Sequence, residues 1–357
     1  MSKLTRVLFL SNMGPSISKP NSGRFVMNQY ESLKAQPDLL LDYYYLTQEK
    51  TSLFRRLFRY PVFFMRFVLR YVFSLQKQHI IHVHFYFPNV LLAIAYKCFR
   101  NWRVKIVVTF HGSDIYLYTP PSYLYKACTH FVDKYIFVSG KLKQRFFKPV
   151  KSTVLSAGVN DIFYQQQGQR EYENNKFDLI FVGHLDQNKG IKRLEEILIN
   201  FPDKVDIAIV GAGDCDFIER LKVNERVSIT YFDSLTPTEL VTIYNESQLL
   251  INLSYNESFG LVMSEAMACG TPVIATKTDG ACAQITHGIN GYLIENDDSS
   301  VCASTIKSIQ HIMNMPKSDY RYMSEDAIKS AQQYRLSSVT KEISKIYKEL
   351  RLSTIND

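Results

Sequence analysis

The sequence predicts an α/β protein built from two doubly wound domains in tandem, and three observations support this fold class. Short apolar runs alternate with helix-like segments along most of the chain, a pattern typical of parallel sheets covered by helices. The length of 357 residues suits two domains. A polar, glutamine-rich segment from Tyr164 to Lys176 interrupts the alternation near the middle of the chain and predicts a linker at residues 166–176.

The first domain is predicted to span residues 1–165. Its first buried strand, Arg6 to Leu10, is followed by a loop rich in Gly, Pro and Ser and then by a helix near Phe25 to Ala35. The other expected strands of this domain are Leu41 to Leu46, Ile80 to Phe85, Val104 to Phe110 and Tyr135 to Ser139.

The second domain is predicted at residues 177–336, with helices at Gly190 to Ile199 and Leu261 to Ala268. Its expected strands are Phe177 to Val182, Val205 to Val210, Val227 to Tyr231, Leu249 to Leu253 and Pro272 to Ala275. Helically spaced apolar residues predict a final helix at 337–357, with the first domain as a candidate packing surface. Because ligands collect outside the carboxyl ends of parallel strands, we expect the ligand site at the interface of the two halves.

The composition narrows the class of protein. Apolar residues make up 46% of the chain and charged residues 21%, which is ordinary for a globular protein and excludes disorder as the main state. The six cysteines have no metal-ligand spacing and are expected to be buried thiols in a reducing compartment. The apolar run Val7 to Leu10 is too short for a signal peptide, so the expected location is cytoplasmic.

A stretch rich in cations and aromatic residues lies in the first domain. Residues 51–78 contain no acid, and aromatic residues interleave with their cations, which are Arg55, Arg56, Arg59, Arg66, Arg70 and Lys77. This pattern is typical of a helix on the surface of an anionic membrane, and the alternative is a core helix with a solvated basic side. The first interpretation predicts a peripheral protein on the inner membrane face. No nucleic-acid-binding motif accompanies the net charge of +8, so nucleic acid is not an expected partner.

The most informative segment runs from Asn256 to Thr276, with the sequence NESFGLVMSEAMACGTPVIAT. The part from Leu261 to Ala268 favours a helix, and Ser258 and Gly260 are typical of the residues that precede one. A helix that begins there directs unpaired backbone N–H groups outward. Such groups form a ready binding site for a phosphate.

Two glutamates, Glu257 and Glu265, lie on either side of this helix start. The helical rise predicts a separation of roughly 9 to 12 Å, which is wider than the ~5 Å carboxylate pair of a retaining glycosidase. The spacing suits two contacts with one long ligand, in which one carboxylate meets a sugar and the other accepts from ribose hydroxyls. The alternative is two solvated glutamates at an ordinary helix start.

The segment ESFGLVMSEAMACGTPVIAT resembles the Glu-x7-Glu signature of the retaining GT-B glycosyltransferases, in particular glycosyltransferase family 4. Three further segments precede this signature in the chain and resemble segments of the family in the same order: NSGRF at 21–25, TFHGSD at 109–114 and FVGHLDQNKGIKRL at 181–194. The resemblance covers nearly the whole chain and is stronger in the C-terminal half. It implies a GT-B fold, in which two Rossmann-like domains face each other across a cleft, the first binding the acceptor and the second the donor.

The resemblance also implies roles for individual residues. Lys189 would reach the donor diphosphate, His111 would lie near the donor sugar, and Glu257 and Glu265 would contact the sugar and the ribose. We assign His111, Glu257 and Lys189 to catalysis. The family's loop usually begins Gly-Arg, so His184 stands where a second cation is expected. The other donor-binding residues that the resemblance implies are Ser22, Gly23, Gly183, Ser258, Phe259, Gly260 and Leu261.

These inferences predict a retaining, metal-independent glycosyltransferase of the hexosyltransferase type that needs no cofactor. Its substrates would be a nucleotide-diphosphate sugar and a lipid-linked or growing surface glycan, in polysaccharide or lipopolysaccharide biosynthesis. The alternatives are a nucleotide-sugar epimerase of the same fold and a non-catalytic partner subunit. Asp214 and Asp216 form the Asp-x-Asp pattern of metal-dependent sugar transferases of another fold, but two Rossmann halves with Lys189 for the phosphates require no metal. His82 and His84 alternate on a strand as a metal pair could, but no third ligand is apparent, so no metal site is expected.

Overall fold

The computed structural model describes residues 4–16, 22–47, 53–165, 175–221 and 224–356, with the side chains of 53–57 and 354–356 left out. The chain divides into two compact units, which are residues 1–158 together with 336–357 (unit 1) and residues 159–335 (unit 2). Each unit contains a six-stranded sheet whose neighbouring strands are all parallel. The predicted α/β fold class is therefore confirmed.

The sheet of unit 1 has the strand order β2-β1-β3-β4-β5-β6. Its strands are β1 (Thr5–Gly14), β2 (Leu39–Thr47), β3 (Ile80–His84), β4 (Lys105–Phe110), β5 (Lys134–Phe137) and β6 (Ser152–Val154). The described helices between them are α1 (Arg24–Lys34), α2 (Leu53–Phe67), α3 (Tyr86–Phe99), α4 (Ser113–Tyr116), α5 (Tyr123–Cys128) and α6 (Gly140–Gln144). The central strand β3 is buried along its whole length, because helices cover both faces of a parallel sheet.

The basic aromatic stretch forms α2 and a π-helical turn, Val68–Val72, that continues it. Phe63, Phe67 and Tyr71 pack into the unit, and Tyr44 stacks on Phe63 with a ring centroid distance of 4.7 Å. Met65 on the same helix is exposed. The stretch therefore has a core-facing side and also exposed apolar residues. The side chains of Arg55 and Arg56 lie outside the described part of the chain.

The sheet of unit 2 has the strand order β12-β11-β10-β7-β8-β9. Its strands are β7 (Phe177–Val182), β8 (Val205–Val210), β9 (Val227–Phe232), β10 (Ser247–Asn252), β11 (Val273–Thr276) and β12 (Gly291–Ile294). The described helices are α7 (Ile191–Asn200), α8 (Asp216–Leu221), α9 (Pro237–Asn245), α10 (Leu261–Ala268), α11 (Asp279–Gln284), α12 (Val301–Met313) and α13 (Lys317–Ala331). One apolar cluster covers each face of this sheet.

The expectation that the cysteines are buried is correct for Cys128 and Cys269 and wrong for Cys98 and Cys282, which are exposed. Cys98 lies on α3 and Cys282 on α11, where the solvent-facing side of each helix leaves the thiol uncovered.

The unit boundaries differ from the sequence-based domain boundaries at both places where the chain passes from one unit to the other. Residues 159–165 belong to unit 2, because Val159, Phe163 and Tyr164 pack into an apolar cluster of its sheet. The chain returns to unit 1 at Leu336, where the last helix, α14 (Leu336–Asn356), begins. Val339, Ile343, Ile346 and Tyr347 of α14 pack with β1 and β3 residues in the core of unit 1. Residues 166–174 of the expected linker lie outside the described residues.

Candidate functional site

The loop before α10 has a backbone shape that only glycine adopts readily. Gly260 has φ 78°, in the left-handed region, and caps the helix amino end. A Cβ at Gly260 would lie 2.6 Å from Met263 Cε and 2.8 Å from Glu257 Cγ. The missing side chain therefore lets Glu257 lie across the helix start. Of the other residues predicted here, Ser258 and Leu261 are half-buried, and the Phe259 ring is buried against Tyr334.

A buried glutamine fixes this loop. The Gln284 side-chain amide donates to the Phe259 carbonyl and, at 3.2 Å, to the Gly280 carbonyl, and Ser264 Oγ donates to Gln284 Oε1. The Gly280 N–H donates to the Glu257 carbonyl at 2.8 Å. Helix α11 thus holds the loop that carries Glu257. Sequence reasoning missed Gln284, because its partners are mainly backbone carbonyls distant along the chain.

Lys189 and Glu257 form an ion pair, with 2.5 Å between Lys189 Nζ and Glu257 Oε2. Their side chains are 24% and 15% exposed, so the pair is sheltered and still reachable from solvent. The Lys189 backbone N–H donates to Asp186 Oδ1 at 2.9 Å, and the lysine methylenes lie beside Gly183. Two of the residues predicted to bind the donor are therefore in direct contact.

The loop that carries Lys189 is bonded to the loop that carries Glu257. The Tyr255 N–H donates to the Asn188 carbonyl at 2.8 Å, and Asn188 Nδ2 donates to the Asn256 carbonyl at 3.2 Å. At the start of α7, a Cβ at Gly190 would lie 2.4 Å from the Leu253 carbonyl oxygen, so the two loops approach closely. These contacts fix Lys189 relative to Glu257.

A buried arginine that the sequence analysis did not single out supports the same two loops. The Arg193 guanidinium donates to the Leu253 carbonyl at 3.1 Å and to Asn296 Oδ1 at 2.8 Å, and it pairs with Asp298. It also lies 3.6 Å from the centroid of the Tyr255 ring, a cation–π contact. Because these partners already surround Arg193, we assign it a structural role.

Glu265 lies in the second turn of α10, and its carboxyl group is unusual. Burial raises its pKa to about 7, and a hydrogen bond with Tyr244 opposes this rise. Burial also raises the pKa of Tyr244 well above its usual value. Glu265 is therefore poised between its neutral and charged forms near neutral pH, which a solvated glutamate is not. Perturbed carboxyl groups of this kind cluster at functional sites.

His184 and the pair Asp214 and Asp216 lie in the loops that follow β7 and β8, respectively. The His184 side chain is exposed directly after β7. Gly211, after β8, is pressed against the β7 loop, since a Cβ there would lie 1.8 Å from the Gly183 carbonyl oxygen. Asp214 Oδ1 accepts from the Asp216 N–H at 3.1 Å, so this aspartate stabilises a turn. Among the described residues, no three His, Cys, Asp or Glu side chains group as a metal site would require.

The residues predicted in unit 1 lie at the carboxyl ends of its strands. Gly23 has φ 64° and precedes α1 next to Ser22, and a Cβ there would lie 2.6 Å from the Met13 carbonyl oxygen. His111 follows β4, and its backbone N–H donates to both Asp114 oxygens at 3.1 and 3.3 Å. Burial raises the pKa of Asp114 to about 6, although backbone N–H groups oppose the rise.

His82 and His84 of β3 are fully buried, as expected of residues in a central strand. The structure also brings His111 against His84, with 3.1 Å between His84 Nδ1 and His111 Nε2. Phe85, which follows, has φ 62°, a conformation that is strained for a bulky residue and that clusters at functional sites. This contact was not predictable from the sequence, because His84 ends β3 whereas His111 lies 27 residues further along the chain, directly after β4.

Within the residues that the structure describes, no helix combines the length and apolar character needed to cross a bilayer.

Two family models match the chain, "Glycosyltransferase Family 4" over residues 30–162 and "Glycosyl transferases group 1" over residues 163–330. In sequence, the chain is 29% identical over 314 residues to N-acetyl-alpha-D-glucosaminyl L-malate synthase of Bacillus anthracis, and the alignment covers 81% of this chain and 80% of that protein. In structure, it is similar to sucrose-phosphate synthase from Thermosynechococcus elongatus, with a TM-score of 0.75 and 18% identity over 98% of this chain and 100% of the other. It is also similar to Anabaena Alr3699/HepE in complex with UDP-glucose, with a TM-score of 0.68 and 18% identity over 96% of this chain and 99% of the other.

Proposed function

The chain belongs to the GT-B glycosyltransferases of the family 4 type, and we propose that it moves a sugar, with retention of anomeric configuration, from a nucleotide-diphosphate sugar to a lipid-linked or growing surface glycan. A nucleotide-sugar donor is supported by the UDP-glucose bound to the similar Anabaena protein. The observation that carries the proposal is the ion pair between Lys189 and Glu257 at the amino end of α10.

Donor binding exchanges the partners of this pair. The diphosphate is a stronger anion than one carboxylate, so it takes over Lys189 and also accepts from the backbone N–H groups at the start of α10. Glu257, released from Lys189, then accepts from hydroxyls of the donor sugar. The loop contacts of Asn188 and Gln284 hold both residues in place during this exchange.

Glu265 holds the ribose in this proposal. Ribose hydroxyls donate to a carboxylate better than to a neutral carboxyl group, so donor binding favours the ionised form of Glu265. Negative charge grows on the departing diphosphate in the transition state. Lys189 and the α10 amino end stabilise that charge by electrostatics and hydrogen bonds, without covalent chemistry from the protein and without a required metal.

The decisive experiment incubates the protein with a panel of nucleotide sugars and a lipid extract and measures the released nucleoside diphosphate. We expect release with one donor, release that depends on the extract, and a product whose anomeric proton coupling matches that of the donor. Lys189→Ala should lower this rate at least a hundredfold. Lys192→Ala, which removes an exposed lysine from the adjoining helix, should leave it within twofold.

Two results would contradict the proposal. Conversion of the donor sugar without acceptor and without diphosphate release would indicate a nucleotide-sugar epimerase. Binding of donors with no turnover in any extract would indicate a non-catalytic subunit.

We further propose that unit 1 contacts an anionic membrane surface. The chain has no Asp or Glu from Lys50 through Ser113, and the acid-free part is more than twice as long as the 51–78 stretch. Arg100 donates to the Leu75 carbonyl at 2.8 Å, and Asn101 donates to the Gln78 carbonyl at 2.9 Å, so the end of α3 lies beside the turn at 73–78. The most exposed apolar residues of these two segments are Phe73 (73% exposed), Leu75 (96%), Phe99 (81%) and Trp102 (71%).

Exposed aromatic and aliphatic side chains within a cation-rich segment that contains no acid match the interface of an anionic bilayer. In flotation, the protein should bind vesicles that contain phosphatidylglycerol and should bind pure phosphatidylcholine weakly. A Phe73→Ser, Leu75→Ser, Trp102→Ser variant should lose most of this binding. A control variant, Ile289→Ser with Tyr322→Ser, changes exposed apolar residues of unit 2 and should float like the wild type. Equal flotation of both variants would contradict the membrane assignment.

A further inference from the structure

Unit 1 contains three histidines, His82, His84 and His111, whose imidazole rings adjoin at the ends of β3 and β4. The His82 and His84 centroids lie 4.3 Å apart, and the His84 and His111 centroids lie 5.4 Å apart with the ring planes 19° from parallel. Both nitrogens of His82 have partners: Nδ1 bonds to the Tyr347 hydroxyl at 2.6 Å and Nε2 to the Thr109 hydroxyl at 2.7 Å. His82 is thus fully accounted for by the fold.

His84 differs, because within the described part of the chain only one of its nitrogens has a partner. Nδ1 lies 3.1 Å from His111 Nε2, while Nε2 is buried with no hydrogen-bond partner among the described residues. The Phe9 ring stacks on His84 with an interplanar angle of 29°, and the His82 ring lies 4.3 Å from it at an angle of 31°. The His111 ring instead lies edge to edge with His84, since the two hydrogen-bonded rings are nearly parallel and their centroids are 5.4 Å apart. None of these rings offers a π acceptor to an N–H at Nε2 in the plane of the His84 ring.

These contacts decide where the protons lie. Burial lowers the pKa of His111 to about 3 and that of His84 well below its usual value, so both rings are neutral at neutral pH. Each neutral ring carries one N–H, and one of the two facing nitrogens must donate while the other accepts. If His84 carried its proton on Nε2, a buried N–H would have no acceptor, an arrangement that native proteins avoid.

We propose that His84 is a positioning residue for His111: its Nδ1–H donates to His111 Nε2 and so places the His111 proton on Nδ1. This inference rests on the proposed function, in which His111 lies near the donor sugar. In this tautomer, any hydrogen bond between His111 Nδ1 and an oxygen of the sugar or its leaving group is one that His111 donates. The opposite tautomer would present a lone pair instead.

The backbone on both sides holds this pair rigidly. Asn89 Nδ2 donates to the carbonyls of His84 and Phe85, each at 2.9 Å, and this contact supports the left-handed conformation of Phe85. Asp114 accepts from the His111 backbone N–H. A ring-to-ring hydrogen bond between two fixed backbones sets the orientation of the His111 ring as well as its tautomer.

The first test is nitrogen-15 NMR of the wild-type protein labelled at histidine, with the His111 signals assigned by their loss in His111→Asn. We expect the protonated-nitrogen shift at Nδ1 and the unprotonated shift at Nε2. Thr109→Val removes a partner of His82 but leaves the His84–His111 bond, so the His111 signals should keep this pattern. Protonation of His111 at Nε2 in the wild type would overturn the proposal.

The second test is kinetic and separates positioning from packing. His84→Phe keeps a stacked ring but removes the hydrogen bond, whereas His84→Asn places an amide near the position of Nδ1. We expect His84→Phe to lower kcat tenfold to a hundredfold with the donor KM within twofold, and His84→Asn to recover most of the rate. Full turnover by a folded His84→Phe protein would refute the positioning role. If the wild type transferred no sugar, the proposed function would fail, while the NMR test would still decide the tautomer.

Discussion

Replacing Glu265 by glutamine should stabilise the protein above neutral pH. The pKa of Glu265 is raised from 4.5 to about 7 by burial. In the unfolded chain this carboxyl group ionises first as the pH rises, which favours the unfolded state until the folded group ionises too. The stability that the neutral carboxyl group contributes is therefore complete below about pH 4.5 and is lost as the pH rises to about 7.

The size of this loss follows from the shift. At about 1.36 kcal/mol per pKa unit, a rise from 4.5 to about 7 corresponds to about 3 kcal/mol of unfolding free energy. Glu265→Gln keeps the shape of the side chain and removes the ionisation. Relative to the wild type, the variant should gain about 3 kcal/mol between pH 4.5 and pH 8, as an upper value.

Urea denaturation followed by circular dichroism at pH 5 and pH 8 measures this gain. Because only the difference between variant and wild type is used, other titrating groups such as Asp114 cancel. Glu325→Gln is the matched control, since Glu325 lies on the exposed face of α13 in an i,i+4 pair with Arg321, and it should shift stability by less than about 0.5 kcal/mol at either pH. Parallel pH dependences of Glu265→Gln and the wild type would refute the assignment of a neutral buried carboxyl group.

The same variant should bind the donor more weakly. The loss of charge-assisted hydrogen bonds from ribose hydroxyls costs roughly 1.5 to 3 kcal/mol, or about tenfold to a hundredfold in Kd at pH 8. Titration calorimetry with a nucleoside diphosphate measures it. Wild-type binding should also strengthen from pH 6 to pH 8 and release a proton. A variant that is more stable and yet binds the donor as tightly as the wild type would remove Glu265 from the site.

Three other substitutions test the rest of the site. Glu257→Gln should bind a nucleoside diphosphate threefold to tenfold more tightly, because Lys189 loses its internal partner, but it should bind the sugar-bearing donor more weakly. Calorimetry with both ligands checks this. An equal change in affinity for the two ligands would argue against the partner exchange. Gly260→Ala should lower donor affinity, because the new Cβ would displace Glu257. Its control is Gly288→Ala: Gly288 has a similar φ of 79°, and nothing lies within 4 Å of the new Cβ, so this variant should lose about 1–2 kcal/mol of stability to strain and keep its donor affinity. Equal donor affinities of the two variants would contradict this geometry. Gln284→Ala leaves loop carbonyls without donors, so urea denaturation should show a loss of about 1–3 kcal/mol of stability. The variant should also bind the donor more weakly. Unaltered stability and unaltered donor affinity would exclude the supporting role of Gln284.

The strands and the donor motif were predictable because their signals are local. Buried parallel strands are nearly continuous apolar runs, so Phe177–Val182 and Val205–Val210 match their predicted bounds, and α10 begins and ends where predicted. The strands β6 and β12, at 152–154 and 291–294, are three or four residues long and lie at sheet edges. Runs that short carry too little pattern to distinguish a strand from a loop.

The contacts that shape the site were not predictable, because they join residues far apart in sequence. The spacing of Lys189 and Glu257 along the chain says nothing about their ion pair, which depends on β7 and β10 being neighbours in the sheet. The same holds for His84, at the end of β3, and His111, directly after the adjacent strand β4. Burial, which decides the charge of Glu265, is likewise a property of the folded unit alone.

In the proposed donor site, the charges of the residues are balanced before the donor binds, and this balance has a consequence for selectivity. Lys189 is neutralised by Glu257, and Glu265 is held near its neutral form by burial. A free phosphate offers only the exchange at Lys189, and it must displace Glu257 without providing a hydroxyl for the released carboxylate. In the proposed binding mode, a nucleotide sugar would supply the anion for Lys189, sugar hydroxyls for Glu257 and ribose hydroxyls for Glu265 at once. Since each exchange contributes only part of the binding free energy, we expect the highest affinity when one ligand satisfies all three residues, and such a site would discriminate against the abundant simple phosphates.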